Sequence, residues 1–260
     1  ANLDEALKHF EKVEKLRPGF ERVYTNLGYV YSLKGDLVKA KAYYEKAITQ
    51  KPKDVNAYYN LALLQMQAGE KVPAEMLLKK AITINQKVIR LYQLLTSLYA
   101  LLGRHDEALR YQKQCVENNQ KDKEAWNNLG FLHYQLTELN EAVLAFEKGI
   151  ALNPQIPSID NIRLYNNLAA AHLKKGEVKK AQEILQKAIK LNPKLPHSYQ
   201  NLCHLHYQQG DMNDVIKTLQ QAIKNQAGLL PAEQRDFHIN LANMHVQRGE
   251  YDKALSVLEA

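Results

Sequence analysis

The chain has 260 residues, of which 45% are hydrophobic and 24% charged, a balance found in globular proteins and not in disordered or fibrous ones. Its 35 Lys/Arg against 28 Asp/Glu leave a net charge of +7. That excess is mild, sits in the first half and is spread among acids four residues away, which argues against a nucleic-acid partner. No apolar run approaches the roughly 20 residues of a membrane span, no signal-peptide pattern opens the chain, and Cys115 and Cys203 are too few and too far apart for a disulfide framework or a zinc site.

Residues 1–20 read as a single helix with Ala6, Phe10 and Val13 on one face, followed by Pro18. From Glu21 onward an Asn-Leu-small triplet recurs every 34 residues: Asn26-Leu27-Gly28, Asn60-Leu61-Ala62, Leu94-Leu95-Thr96 and Asn128-Leu129-Gly130. After a slip of five residues it resumes at Asn167-Leu168-Ala169 and Asn201-Leu202-Cys203, and after a second slip of five at Asn240-Leu241-Ala242. The repeats predicted from this period are 21–54, 55–88, 89–122, 123–156, 162–195, 196–229 and a truncated 235–260. Each starts with a helix A and continues with a helix B, about 15 helices in all with the first. The slips, Pro157 to Asn161 and Leu230 to Gln234, contain helix-start residues and predict one extra N-terminal turn on the following helix A.

Numbering each repeat from its first residue, position 4 is aromatic or His (Tyr24, Tyr58, Tyr92, Trp126, Tyr165, Tyr199, His238) and position 7 is always Leu. Positions 8 and 20 are small in nearly every repeat, as in Gly28 and Ala40, while position 24 is mostly large, as in Tyr44 and Phe146. Positions 4, 7, 8 and 11 share one face of helix A, and 20, 24 and 27 one face of helix B. Glycine at position 15 in six repeats predicts a left-handed residue ending helix A, and the acid at position 16 then sits near the positive end of helix B.

This pattern resembles the tetratricopeptide repeat across nearly the whole chain. The resemblance implies an all-α, right-handed superhelical solenoid of antiparallel helix pairs, one continuous array with helix A lining a concave face through positions 2, 5, 6, 9, 12 and 13. Neither terminus carries a polar capping helix, so the chain reads as a piece of a longer array whose uncapped ends offer a surface for self-association.

On the implied concave face, position 6 is Asn26, Asn60, Asn128, Asn167, Asn201 and Asn240, with Leu94 as the exception. A primary amide donates and accepts, so it can pair with a peptide backbone whatever its sequence; the alternatives are a bond to the neighbouring repeat or a consensus residue of the repeat with no ligand role. The row resembles the asparagine ladder of O-GlcNAc transferases, which grips extended polypeptide. At about 0.5–1.5 kcal/mol each, six amides would supply roughly 3–9 kcal/mol before ordering costs. Around them lie Arg22, Arg90 and Arg163 at position 2, Tyr59, Asn127 and Asn166 at position 5, Tyr29, Phe131 and His204 at position 9, and Tyr134 and Tyr207 at position 12. Arginine and aromatic side chains are the usual binding hot spots. The Lys/Asn/Arg clamp by which some members of the family hold chaperone C-termini is missing, since position 5 is never Lys.

His133, His172, His206 and His245 share position 11 with Tyr31 and Tyr99, which reads as core packing and not as a metal site. Cys115 and Cys203 fall at small-residue positions and read as buried, inert thiols. No nucleophile–base, P-loop or metalloprotease motif occurs, so the sequence predicts neither a catalytic residue nor a cofactor. The leading functional expectation is a scaffold that binds an extended peptide or partner helix. The alternative is the substrate-presenting arm of a larger enzyme such as a protein glycosyltransferase. Low cysteine content fits the cytoplasm, and a periplasmic or lumenal arm fits equally.

Overall fold

The structure is a computed structural model that describes residues 2–20, 22–225 and 231–259. Among these residues it is entirely helical, with fifteen α-helices. They divide into two compact units, Ala1–Asn119 and Gln120–Ala260. The first unit contains α1 (Leu3–Leu16), α2 (Val23–Leu33), α3 (Leu37–Gln50), α4 (Val55–Gln67), α5 (Lys71–Ile84), α6 (Ile89–Leu101) and α7 (His105–Asn118). The second contains α8 (Lys123–Gln135), α9 (Leu139–Ala151), α10 (Ile159–Lys174), α11 (Val178–Leu191), α12 (Pro196–Gln208), α13 (Met212–Lys224), α14 (Pro231–Gln247) and α15 (Tyr251–Glu259).

Within each unit every helix packs on the next in the chain, and alternate A helices also touch: α2 with α4 and α4 with α6 in the first, α8 with α10 and α10 with α12 in the second. The A helices therefore form the inner row of each stack. Both extra turns are present. α10 starts three residues before the register of the other repeats and α14 four before, although Leu230 lies outside the described residues.

The small-residue positions set the interhelical distance. A Cβ on Gly28 would lie 2.6 Å from the Tyr44 ring, and one on Gly130 would lie 2.5 Å from the Phe146 ring. Where position 8 carries a larger residue, position 24 is smaller than an aromatic: Ala62 is followed by Leu78 and Ala169 by Leu185. The two positions together fill one fixed volume at interior density.

Each A-to-B turn repeats the same chemistry. In all seven repeats the position 16 N–H donates to the position 11 carbonyl at 2.8–3.0 Å, the 6→1 bond of a Schellman turn. Six turns have glycine at position 15 with φ between 68° and 82°, and the seventh places Thr137 there at φ 61°. Side chains close the same turn. His133, His172 and His245 are buried, and their Nδ1 atoms lie 2.6, 2.7 and 2.6 Å from Glu138, Glu177 and Glu250. Aspartates at position 16, one methylene shorter, cap helix B instead: Asp36 and Asp211 accept from the N–H groups of Lys39 and Asp214.

Two expectations are corrected. In the last repeat His238 is only partly buried, and Phe237 at position 3 fills the core against Tyr199, their rings meeting edge to face at 6.2 Å. Position 3 is buried in every repeat, from Val23 to Phe237, so either neighbouring position can supply the bulk. Cys115 is buried, but Cys203 is only partly so. Desolvation still pushes the Cys203 thiol up to about 12, which keeps it protonated.

Candidate functional site

In the first unit Asn26 and Asn60 are half-buried on α2 and α4. Arg90 lies over the Tyr59 ring at 4.7 Å and donates to the Asn56 side chain, so α6 and α4 share an Arg–Tyr platform beside Asn60. Tyr29 is 53% exposed. Arg22 is placed differently from its expected helical position. It precedes α2 with a left-handed backbone, φ 62°, and with Tyr24, Lys51 and Asp54 it lines a separate hollow of about 320 Å³.

In the second unit Asn128 and Asn167 are half-buried, and Asn201 and Asn240 are exposed. Asn167 Nδ2 donates to Asn127 Oδ1 at 2.7 Å, and Ser198 Oγ donates to Asn166 Oδ1 at 3.1 Å. The first bond ties α10 to α8 and the second ties α12 to α10. Asn127 is buried with its carbonyl oxygen engaged, so it serves the stacking of helices more than an incoming ligand. Among the described residues Asn128, Asn201 and Asn240 make no side-chain bond of this kind. Their amides remain open to solvent.

The A helices α8, α10 and α12 enclose a cleft of about 780 Å³, within the range of ligand-binding sites. It brings together the expected Asn127, Asn128, Phe131, Arg163, Asn166, Asn167 and Asn201. Ile159, Ile162, Leu195 and His197 complete its lining and were not expected. Ile159 belongs to the extra turn of α10, and the five-residue slip was the available signal. Tyr134, His204 and Tyr207 lie outside this cleft. Lys174 sits 4.6 Å from the Tyr134 ring, while His204 and Tyr207 border a smaller hollow of about 290 Å³ with Cys203, Phe237, Asn240 and Met244.

The extra turn is held by Asn161, which is fully buried. Its Nδ2 donates to the carbonyls of Asn153 and Ile156 at 2.6 Å each, and its Oδ1 accepts from Lys123 Nζ at 2.6 Å. Ser158 caps the helix through the Asn161 N–H at 3.2 Å. One side chain thus ties the extra turn to two loop carbonyls, which also accept from the Ile156 and Ser158 N–H groups. No helix among the described residues is long and apolar enough to cross a membrane.

Family models described as tetratricopeptide repeat match residues 1–55, 33–98, 89–122, 123–156, 172–232 and 238–260. A search of curated protein sequences returns no match. Solved structures share the fold. A repeat-containing protein from Cytophaga hutchinsonii superposes with a TM-score of 0.71 at 16% identity, covering 89% of this chain and 93% of its own. A tetratricopeptide repeat protein from Parabacteroides merdae gives 0.62 at 20% identity over 97% and 91%. YrrB, described as a TPR protein with an unusual peptide-binding site, gives 0.60 at 24% identity over 78% and 100%. With the helix pairs, the αL turns and the close-packed small positions all in one register, the chain belongs to the tetratricopeptide repeat family.

Proposed function

We propose that this chain is a protein-interaction module whose A-helix face holds an extended peptide. The observation that carries the reading is the row of position 6 amides, of which Asn128, Asn167 and Asn201 line the cleft of the second unit and Asn128 and Asn201 make no side-chain hydrogen bond among the described residues. Open amides in a row satisfy a peptide backbone while leaving its side chains free for other pockets. The peptide-binding site named for YrrB supports the same use of the fold. The role is non-catalytic: the face offers amides, aromatic rings and guanidinium groups, which bind and orient.

The test is fluorescence anisotropy with a degenerate pool of nonapeptides against the chain and its Asn128/Asn201→Ala variant. Asn167 is left intact because its amide also joins α10 to α8. Losing two hydrogen bonds at about 0.5–1.5 kcal/mol each should weaken binding at least about fivefold, while circular dichroism stays unchanged. Equal binding by the folded variant would remove the ladder from the site.

A further inference from the structure

The regular face of this array offers the same amide in six of seven repeats, so selectivity has to come from where the regularity breaks. In the second unit it breaks at the extra turn of α10. Ile159 stands there 65% exposed and lines the cleft together with Phe131, which is 46% exposed. Ile162, almost fully buried, and Leu195, half-buried, also line the cleft. Large apolar side chains left open beside amides form a socket for another apolar side chain. The buried Asn161 anchors the turn that carries Ile159 through three hydrogen bonds, so this wall is in place before any ligand arrives.

The electrostatics of the socket are one-sided. Arg163 and His197 line it, and none of its lining residues is an acid. The nearest carboxylate to Arg163 is Asp160 at 4.0 Å, and both side chains are more than half exposed, a geometry that holds the guanidinium only weakly. Arg163 therefore keeps its planar donors for an incoming carboxylate.

We infer that the cleft formed by α8, α10 and α12 selects extended peptides that present a bulky aliphatic side chain flanked by acidic residues. The aliphatic group packs against Ile159 and Phe131, Arg163 pairs with the flanking carboxylate, and Asn128 and Asn201 take the backbone. This rests on the peptide-binding reading of the A-helix face and adds to it the class of peptide.

The test uses the 260-residue chain and three fluorescent nonapeptides on one Gly/Ser background, with central Glu-Leu-Glu, Glu-Ala-Glu or Lys-Leu-Lys and both termini blocked. The expected result is that Glu-Leu-Glu binds at least tenfold tighter than either of the others. Ile159→Ser should then erase the preference for Leu over Ala. Arg163→Glu should reverse the preference for Glu over Lys, with circular dichroism verifying the fold of each variant. Equal binding of all three peptides overturns the selectivity and leaves the peptide-binding reading standing. No binding of any peptide overturns both. A preference that survives in both folded variants places the selective site elsewhere and overturns this assignment.

Discussion

At the scale of single residues, Thr137 is the position where sequence and backbone disagree. Six of the seven A-to-B turns use glycine at φ 68–82°, and Thr137 adopts φ 61° in the same place. A β-branched residue in the left-handed region is strained by about 1–2 kcal/mol, because Cβ crowds the neighbouring carbonyl. Glycine removes that strain and returns part of the gain as unfolded-state entropy. Thr137→Gly should therefore stabilise by about 0.5–1 kcal/mol, read as an upward shift in the urea midpoint with the slope unchanged. A lower midpoint would mean that the Thr137 hydroxyl, which donates to the Leu136 carbonyl at 2.6 Å, contributes more than the strain costs.

At the scale of the helix pair, volume is conserved between positions 8 and 24. Glycine accompanies an aromatic ring, as in Gly28 with Tyr44 and Gly130 with Phe146, and alanine accompanies leucine. Gly130→Ala gains about 1 kcal/mol of helix propensity but drives a Cβ to 2.5 Å from the Phe146 ring, and overpacking of this kind costs about 1–3 kcal/mol. The single variant should be destabilised. In a Phe146→Leu background the same change should become neutral or favourable, so the double-mutant cycle should show coupling of about 1 kcal/mol or more. Additive effects would show that the ring moves aside without cost. The same pairs carry a second regular contact: Lys46, Lys80, Lys148 and Lys187 at position 26 sit 4.2–5.6 Å from the rings of Tyr24, Tyr58, Trp126 and Tyr165. In the sequence each such contact is an aromatic followed by Lys 22 residues later.

At the scale of the whole molecule, acid should weaken the stacks through their turns. Hydrogen bonds from Lys180, His172 and Lys175 hold the Glu177 carboxyl down from 4.5 to about 2, and the His245 contact lowers Glu250 in the same direction. A carboxyl depressed in the folded state contributes its stability in full above its unfolded value and loses it as pH falls through the folded one. The thermal midpoint should thus vary little through this titration above about pH 5 and decline between about pH 4.5 and 2. Glu177→Gln should flatten part of that decline. An unchanged acid limb in this variant would show that other carboxylates govern it.

The repeat period, the helix count and the left-handed turns were legible in the sequence because they depend on local geometry. Glycine is the cheap residue at φ above zero, small residues are needed where backbones meet, and apolar spacing of three and four residues defines one helix face. The row of asparagines was legible for the same reason, as a position in a known register. Tertiary structure alone decided which of those amides are open. Asn167 and Asn127 bond to each other across 40 residues of chain, and no local pattern reports a partner at that separation. It also decided the cleft. A buried Asn161 fixes the extra turn that brings Ile159 to the cleft lined also by Leu195 and His197, whereas the sequence showed only that five residues had been added. A side chain's helical face is set by its neighbours in sequence, but what occupies the space beyond that face is set by residues tens of positions away.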